Sequence, residues 1–270
     1  MAASSATLAN GKASTGAMGL IDGGVARHSA IAMPVEQRGF ARGAPVASSH
    51  GTAIASLISD SLKPRSRGLL AADIYGSDPA GGNATAIARA LGWMVQRDVP
   101  VVTISLVGPD NNLLGRAVRA AQQKGMLVVA AVGNDGPAAP PLYPAAYPGV
   151  IGVTGVDARR RVLPESGRGK QVAFAAPGAD LLAAGTGGYA IVRGTSFAAP
   201  LVAGLLAGHL ARRAPAAGAQ AIEWLRAEAT DLGAPGPDGV FGNGLVGERL
   251  RVDPARLLSR RQIDRLQRGR

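Results

Sequence analysis

Four residues of this 270-residue chain have side chains that could together catalyse acyl transfer. Asp22, His50, Asn134 and Ser196 could supply an orienting acid, a general base, a hydrogen-bond donor to an oxyanion, and a nucleophile. Each also has a simple structural explanation, because Asp and Asn favour turns, Ser favours helix caps, and a lone His can open a helix without any chemical role. Only the combination favours catalysis, and it requires a fold that brings all four to one place.

The sequence around Ser196 predicts a buried helix that begins near this residue. The stretch VRGTSFAAPLVAGLLAGHLA, residues 192–211, is almost wholly apolar after Ser196. A helix start would place the hydroxyl near the positive end of the helix dipole, with the Ser196 N–H available to an oxyanion. Pro200 is expected to be tolerated because it falls early in the helix. The apolar run is shorter than the ~20 residues of a membrane span, so no transmembrane segment is expected.

Short apolar runs alternate with helical patterns along the chain, which predicts a parallel sheet covered by helices on both faces. In such a sheet, ligands bind beyond the carboxyl ends of the strands. Because the four candidates follow strands or open helices, we expect them to share one rim of the sheet. The predicted strands are 17–22, 99–107, 126–133, 149–156 and 171–178, and the predicted helices are 50–62, 84–98, 113–125, 196–211 and 219–233.

The composition favours one α/β domain over residues 17–253, between a flexible N-terminal tail, 1–16, and a basic C-terminal tail, 254–270. Hydrophobic residues make up 47% of the chain, which is enough for a sizeable core. The chain has no cysteine, which excludes disulfides, thiolate metal sites and a cysteine nucleophile. The cellular compartment stays open.

The net charge of +11 raises the alternative of an anionic partner such as nucleic acid. Aromatic residues make up only 4% of the chain, which argues against a surface for stacking bases. The basic residues are also scattered, for example at 159–161, at 212–213 and in the C-terminal tail. The charge therefore favours a well-solvated surface, and no specific nucleic-acid partner is expected.

Four motifs surround the candidate residues. GTSFAAPLVAG at 194–204 follows the pattern G-T-S-x-A-x-P-x-V-A-G, and HGT at 50–52 matches the start of a histidine motif. LIDGGV at 20–25 and AAVGNDG at 130–136 match motifs that carry an aspartate and an asparagine. In these motifs, and in the chain order Asp, His, Ser, the sequence resembles the subtilisin-like serine proteases, or subtilases, of peptidase family S8. The resemblance covers roughly residues 17–253.

The resemblance implies a three-layer α/β/α fold with a mostly parallel central sheet. It implies a serine endopeptidase that hydrolyses peptide bonds through an acyl-enzyme intermediate. Ser196 would be the nucleophile, His50 the base that later protonates the leaving amine, and Asp22 the group that orients the imidazole. Asn134 and the backbone N–H of Ser196 would form the oxyanion hole.

The resemblance also implies two segments that bind substrate. One would be an edge strand that pairs with the extended peptide, and the other would line the first side-chain pocket. Val107 stands where the family usually has Gly, so we expect it to narrow that pocket in favour of small or slim side chains. The edge strand comprises Ser105, Leu106 and Val107, and the pocket lining comprises Ala131, Val132 and Gly133.

Several positions depart from the family pattern. Gly23 follows the aspartate where Ser or Thr is usual, so we expect Asp22 to be held less firmly. Ala53 and Ser56 replace a His and a Gly of the histidine motif, and Leu201 replaces a His after the proline. The departure at Gly23 keeps open an alternative from another class, a catalytically silent, subtilase-like binding module.

Expectations about ligands follow mainly from the family resemblance. The partner implied is a protein or peptide substrate, with a pro-segment or inhibitor as a further partner. No cofactor or metal site is evident, and although calcium sites are common in the family, no suitable acidic loop is recognised. Family members are commonly secreted, but neither a signal peptide nor a pro-segment is visible, so the localisation stays open.

Overall fold

A seven-stranded, all-parallel sheet forms the centre of the molecule, in a computed structural model that describes residues 16–62, 67–78, 82–251 and 254. Its strand order is β2-β3-β1-β4-β5-β6-β7. The strands are β1 Met18–Asp22, β2 Val35–Gly39, β3 Leu69–Asp73, β4 Val101–Ile104, β5 Leu127–Ala131, β6 Ile151–Val156 and β7 Val172–Pro177. A separate antiparallel hairpin consists of β8 Leu181–Gly185 and β9 Gly188–Val192.

Helices cover both faces of the sheet, which confirms the predicted three-layer α/β/α fold. One apolar core lies between the sheet and helices α1, α4 and α5, and a second lies between the sheet and helices α2 and α3. The helices are α1 Ser49–Ser61, α2 Ala84–Gln96, α3 Asn112–Gln123, α4 Thr195–Gly208 and α5 Pro215–Ala227, followed by a short 3-10 helix, Glu248–Leu250. Over the described ranges, no helix combines the length and the apolar content needed to cross a bilayer.

The strand order reverses direction between β1 and β4, which places a crevice at their carboxyl ends. Asp22 is the last residue of β1, and Ser105 directly follows β4. On the other side of β1, Asp73 ends β3 and pairs in register with Asp22. Three polar side chains therefore come from adjacent strand ends at the place where this topology favours a ligand.

Helix α4 is the most deeply buried of the five described α-helices. None of its residues is exposed, and it contacts α1, α5 and the strands β1, β4, β5, β6 and β7. Gly204 lets it lie close to α1, because a Cβ at this position would come within 2.0 Å of Ser61 Oγ. A helix that is apolar all round must be buried on all sides, as the sequence predicts.

The structure corrects several predicted elements. β2, β3 and the β8–β9 hairpin were not predicted, since β2 is polar and half exposed and the hairpin is short and rich in Ala and Gly. The strand predicted for 99–107 ends at Ile104. The helix predicted for 219–233 spans Pro215–Ala227, because Pro suits the first helical position and Thr230 pairs with Leu245 instead of extending the helix.

The predicted tails, 1–16 and 254–270, lie outside the described residues apart from Gly16 and Pro254. The domain limits therefore stay a prediction.

Candidate active site

Asp22 and His50 form a hydrogen-bonded pair at the end of β1. The His50 Nδ1 atom lies 2.9 Å from one carboxylate oxygen of Asp22 and 3.0 Å from the other. Asp22 is only 2% exposed, and it also accepts a 2.7 Å hydrogen bond from the backbone N–H of Gly23. A carboxylate at this distance requires the proton on Nδ1, so Nε2 of the neutral ring is free to accept a proton.

The surroundings of His50 change its basicity. Burial of the ring disfavours its charged form, but the hydrogen bond and the negative charge of Asp22 outweigh burial and raise the pKa of His50 above its usual value of 6.5. The same carboxylate affects Tyr75, since burial and, to a smaller extent, the charge of Asp22 raise the pKa of its phenol. The raised pKa makes His50 a stronger base than an ordinary histidine.

The start of helix α1 explains why the residue after Asp22 is glycine. Ser48 caps this helix, and its Oγ accepts a 2.9 Å hydrogen bond from the backbone N–H of Gly51. A Cβ on residue 23 would lie 2.3 Å from that oxygen. The hydroxyl of Ser48 therefore occupies the space that a larger residue after Asp22 would need, and Asp22 is held by His50 and by the Gly23 N–H.

Replacing Gly23 with alanine is expected to destabilise the fold by about 1–3 kcal/mol, the usual cost of forcing an extra carbon into a packed site. The double variant Gly23→Ala with Ser48→Gly should recover much of this loss, because glycine is a tolerable helix cap and leaves room for the methyl group. Urea unfolding of the single and double variants measures the coupling. Simple additivity of the two single effects would contradict this explanation.

Ser196 is the second residue of α4 rather than its cap, since the cap position is taken by Gly194 with a φ of 138°. Pro200 lies in the second turn, later than expected, and it removes the N–H that would bond to the carbonyl of Ser196. The Ser105 hydroxyl replaces that donor and lies 2.9 Å from the Ser196 carbonyl oxygen. Ser105 thus connects the end of β4 to the backbone of the candidate nucleophile.

Phe197, the neighbour of Ser196 in α4, contacts the imidazole of His50. The ring of Phe197 lies 5.2 Å from the imidazole of His50, between ring centres. Both Ser196 and His50 are described, and no hydrogen bond joins the Ser196 hydroxyl to the imidazole in this structure. Catalytic hydrogen bonds of this kind are often long in a free enzyme and shorten when substrate binds.

Asn134 follows β5 and is fixed by the start of α4. Its Oδ1 accepts hydrogen bonds from the backbone N–H of Thr195, at 3.0 Å, and from the Thr195 hydroxyl, at 3.1 Å. Because the amide oxygen faces Thr195, the Nδ2 donor stays available to a ligand. The structure thus brings Asn134 beside the first turn of α4, whose N–H groups lack intrahelical partners.

Two cavities meet at His50. A cavity of about 520 Å³ is lined by Asp22, His50 and the segment Ser105–Val107, together with Val46–Ser48, Tyr75 and Gly76. A cavity of about 320 Å³ on the other side of the imidazole is lined by Ser49, Phe197 and the β8–β9 hairpin. Sequence reasoning missed Val46 and Tyr75, which come from segments without a recognised motif.

The predicted substrate-binding residues have different environments. Ser105, Leu106 and Val107 line the larger cavity and directly follow the last residue of β4. Their pairing with an extended substrate stays a prediction. Ala131, Val132 and Gly133 are buried, and their contact with substrate stays a prediction. A Cβ at Gly133 would meet Leu142 at 2.6 Å and Val107 at 3.7 Å, so both side chains approach the predicted first pocket.

The described residues form no cluster of side chains that could hold a metal ion. Across the described ranges, no group of three or more His, Asp or Glu side chains is arranged to hold one. No step of the chemistry below is therefore derived through a calcium ion.

Known proteins resemble this chain over most of its length. A profile of the Subtilase family matches residues 36–244, a range that includes His50, Asn134 and Ser196 but begins after Asp22. The minor extracellular protease Epr of Bacillus subtilis (strain 168) is 33% identical over 210 residues, which cover 73% of this chain and 32% of that protein. A subtilisin of Bacillus pumilus is 31% identical over 212 residues, which cover 74% of this chain and 75% of that one.

The fold is shared with proteases of known structure. A lanthipeptide protease superposes with a TM-score of 0.75 at 23% identity, over 89% of this chain and 88% of the other. The chain spans only about a third of the length of Epr, so that relative contains much that has no counterpart here. From the profile match and the identity to these relatives, the chain belongs to the subtilase family.

Proposed function

We propose that this protein is a serine endopeptidase that hydrolyses peptide bonds through Asp22, His50 and Ser196. The observation that carries the proposal is the contact of His50 Nδ1 with both oxygens of a carboxylate that is almost fully buried. Such a pair fixes the imidazole tautomer and stabilises the imidazolium that forms during acyl transfer. The protease names of the relatives support the same reaction class.

In the proposed acylation step, each of these groups has a separate role. Ser196 Oγ attacks the carbonyl carbon of the scissile bond while His50 Nε2 accepts the hydroxyl proton. The carbonyl electron pair moves onto the oxygen, and this oxyanion accepts hydrogen bonds from Asn134 Nδ2 and the Ser196 N–H. When the intermediate collapses, the C–N bond breaks and the leaving amine takes the proton from His50, which leaves an ester on Ser196.

Deacylation reverses the roles with water as the nucleophile. His50 accepts a proton from the water as its oxygen attacks the ester carbon, and the same two donors stabilise the second oxyanion. Collapse breaks the C–O bond and returns the proton to Ser196, so the enzyme is regenerated. The raised pKa of His50 matters in both steps, because a stronger base accepts a proton more readily.

The two cavities suggest how a peptide lies across the site. In line with the family resemblance, the segment Ser105–Val107 would contact the acyl side of the substrate, so the larger cavity would hold its side chains. Val46, Tyr75 and Val107 are exposed large apolar residues on the wall of this cavity. We therefore propose peptide substrates with an apolar side chain on the acyl side of the scissile bond.

Labelling with a fluorophosphonate probe tests the proposal, because the probe reacts with an activated serine and loses fluoride. We expect stoichiometric labelling of Ser196 in the wild type and none in Ser196→Ala or His50→Ala. Ser77→Ala is a matched control, since Ser77 is an exposed serine outside both cavities, and it should label like the wild type. A folded wild type that stays unlabelled would instead favour the silent binding module.

A further inference from the structure

A second buried carboxylate lies beside Asp22 and takes no part in the proposed chemistry. Asp73 ends β3, pairs in register with Asp22 and is 0% exposed. Its Oδ2 accepts a 2.6 Å hydrogen bond from the backbone N–H of Val46. Its Oδ1 accepts 2.9 Å hydrogen bonds from the backbone N–H groups of Tyr75 and Gly76. Three charge-assisted hydrogen bonds thus converge on one side chain.

All three of these N–H groups belong to the wall of the 520 Å³ cavity, although Asp73 itself does not line it. Val46 lies in the segment that leads into α1, whereas Tyr75 and Gly76 follow β3. One carboxylate therefore joins two wall segments that are separated by the whole of helix α1. A neutral acceptor with a single oxygen could not hold both in the same way.

Apolar packing does little to hold this part of the wall. Val46 is 43% exposed and Tyr75 is 38% exposed, so neither side chain is anchored in a core. Backbone hydrogen bonds also hold these segments, such as the one from Gly24 to the Val46 carbonyl at 3.1 Å. The Ser77 N–H bonds the Arg42 carbonyl at 3.0 Å and so joins the two segments at residues that do not line the cavity. Between the parts that line the cavity, Val46 on one segment and Tyr75 and Gly76 on the other, the link passes through the Asp73 carboxylate.

We propose that Asp73 is a positioning residue that sets the shape of the larger cavity and so selects peptides with a bulky apolar side chain in that cavity. The predicted first pocket is a different place, because Ala131, Val132 and Gly133 do not line this cavity. This inference rests on the proposed function. Asp73 makes no hydrogen bond to His50, and its role is separate from proton transfer. Its loss should therefore change which substrates bind, while the chemistry at Ser196 continues.

Asp73→Asn is the sharpest variant, because asparagine has the same shape but only one acceptor oxygen. If that oxygen keeps the Tyr75 and Gly76 bonds, the amide NH₂ meets the Val46 N–H, and two donors then face each other. For a peptide with leucine in the cavity, we expect kcat/KM to fall about tenfold, mainly through KM. For the matched peptide with alanine, the change should stay below about twofold, and the fluorophosphonate labelling rate and the acid limb of the pH profile should not move.

Asp238→Asn is a matched control, since Asp238 also accepts three backbone hydrogen bonds, from Ala234, Val240 and Phe241, and lines neither cavity at His50. It should leave the ratio of the two peptide rates unchanged. An equal loss for both peptides in Asp73→Asn, or no loss for either, would overturn the proposal. A wild type that cleaves neither peptide would instead refute the proposed function.

Amide hydrogen exchange of the wild-type protein tests the three hydrogen bonds to Asp73 even if Asp73→Asn does not fold. The amides of Val46, Tyr75 and Gly76 should exchange more slowly than those of Leu106 and Val107 across the same cavity, for which the described structure gives no backbone hydrogen bond. Exchange at the same rate in both groups would overturn the proposal, whatever the protein cleaves.

Discussion

Replacing Ser196 with alanine is expected to lower kcat for peptide hydrolysis on the order of 10⁶-fold, a magnitude taken from subtilisin rather than derived from this chain. The variant lacks only the attacking oxygen, and its Cβ keeps the place of Ser196 in the first turn of α4. The fold should therefore remain, with a midpoint of thermal unfolding close to that of the wild type. Steady-state hydrolysis of a fluorogenic peptide, measured beside thermal unfolding, checks both statements.

The controls for this prediction test whether Ser196 and His50 act as one catalytic unit. His50→Ala should lose about as much activity as Ser196→Ala, and the double variant should lose little more, because either change alone stops acyl transfer. Ser77→Ala should keep the wild-type rate. If Ser196→Ala retained a substantial part of the activity, hydrolysis would have to proceed through another nucleophile.

Replacing Asp22 with asparagine is expected to lower kcat by about 10⁴-fold, as in serine proteases whose triad aspartate is changed in this way. The amide can keep the shape of Asp22 and the Gly23 contact, but it cannot stabilise the imidazolium by charge and it favours the wrong tautomer of His50. Hydrolysis rates in the presence of saturating peptide measure this loss.

The pH profile of the same variant gives a second, independent readout. The wild type needs neutral His50, so kcat/KM should rise with pH through a pKa above 6.5. Without Asp22, burial of the imidazole remains as the main influence, and burial lowers the pKa. The acid limb of Asp22→Asn should therefore lie at lower pH than that of the wild type. An unchanged limb would mean that Asp22 does not set the basicity of His50.

The four candidate residues could be predicted because each lies where an apolar run ends or an apolar helix begins. Asp22 and Asn134 end apolar runs that form β1 and β5, and His50 and Ser196 open the apolar helices α1 and α4. Parallel strands present their carboxyl ends at one edge, so the pattern alone places these groups near each other. Local periodicity thus accounts for five of the seven strands of the sheet, for the two helical layers and for the places of the four candidate groups.

The supporting contacts could not be predicted because they join segments far apart in the chain. The Ser105 hydroxyl compensates for Pro200 by bonding the Ser196 carbonyl, which depends on how β4 and α4 pack. The Ser48 hydroxyl leaves room only for glycine at position 23, and this is visible only once α1 is placed against β1. Asp73 could have been noticed, since LLAAD ends in an acid just as MGLID does, but its partners at Val46 and Tyr75 appear only in the fold.

The burial of α4 affects how fast one copy of the protein could be digested by another copy. A protease cuts an extended segment, so a second copy can cleave the helix that carries Ser196 only after that helix has left its place between α1 and five strands. Such an opening amounts to unfolding of the whole domain, because α4 forms the middle of the larger core. Under the proposed function, self-digestion of α4 is therefore limited by the rate of global unfolding. Substitutions that slow unfolding should then prolong activity in concentrated solution without any change at the active site.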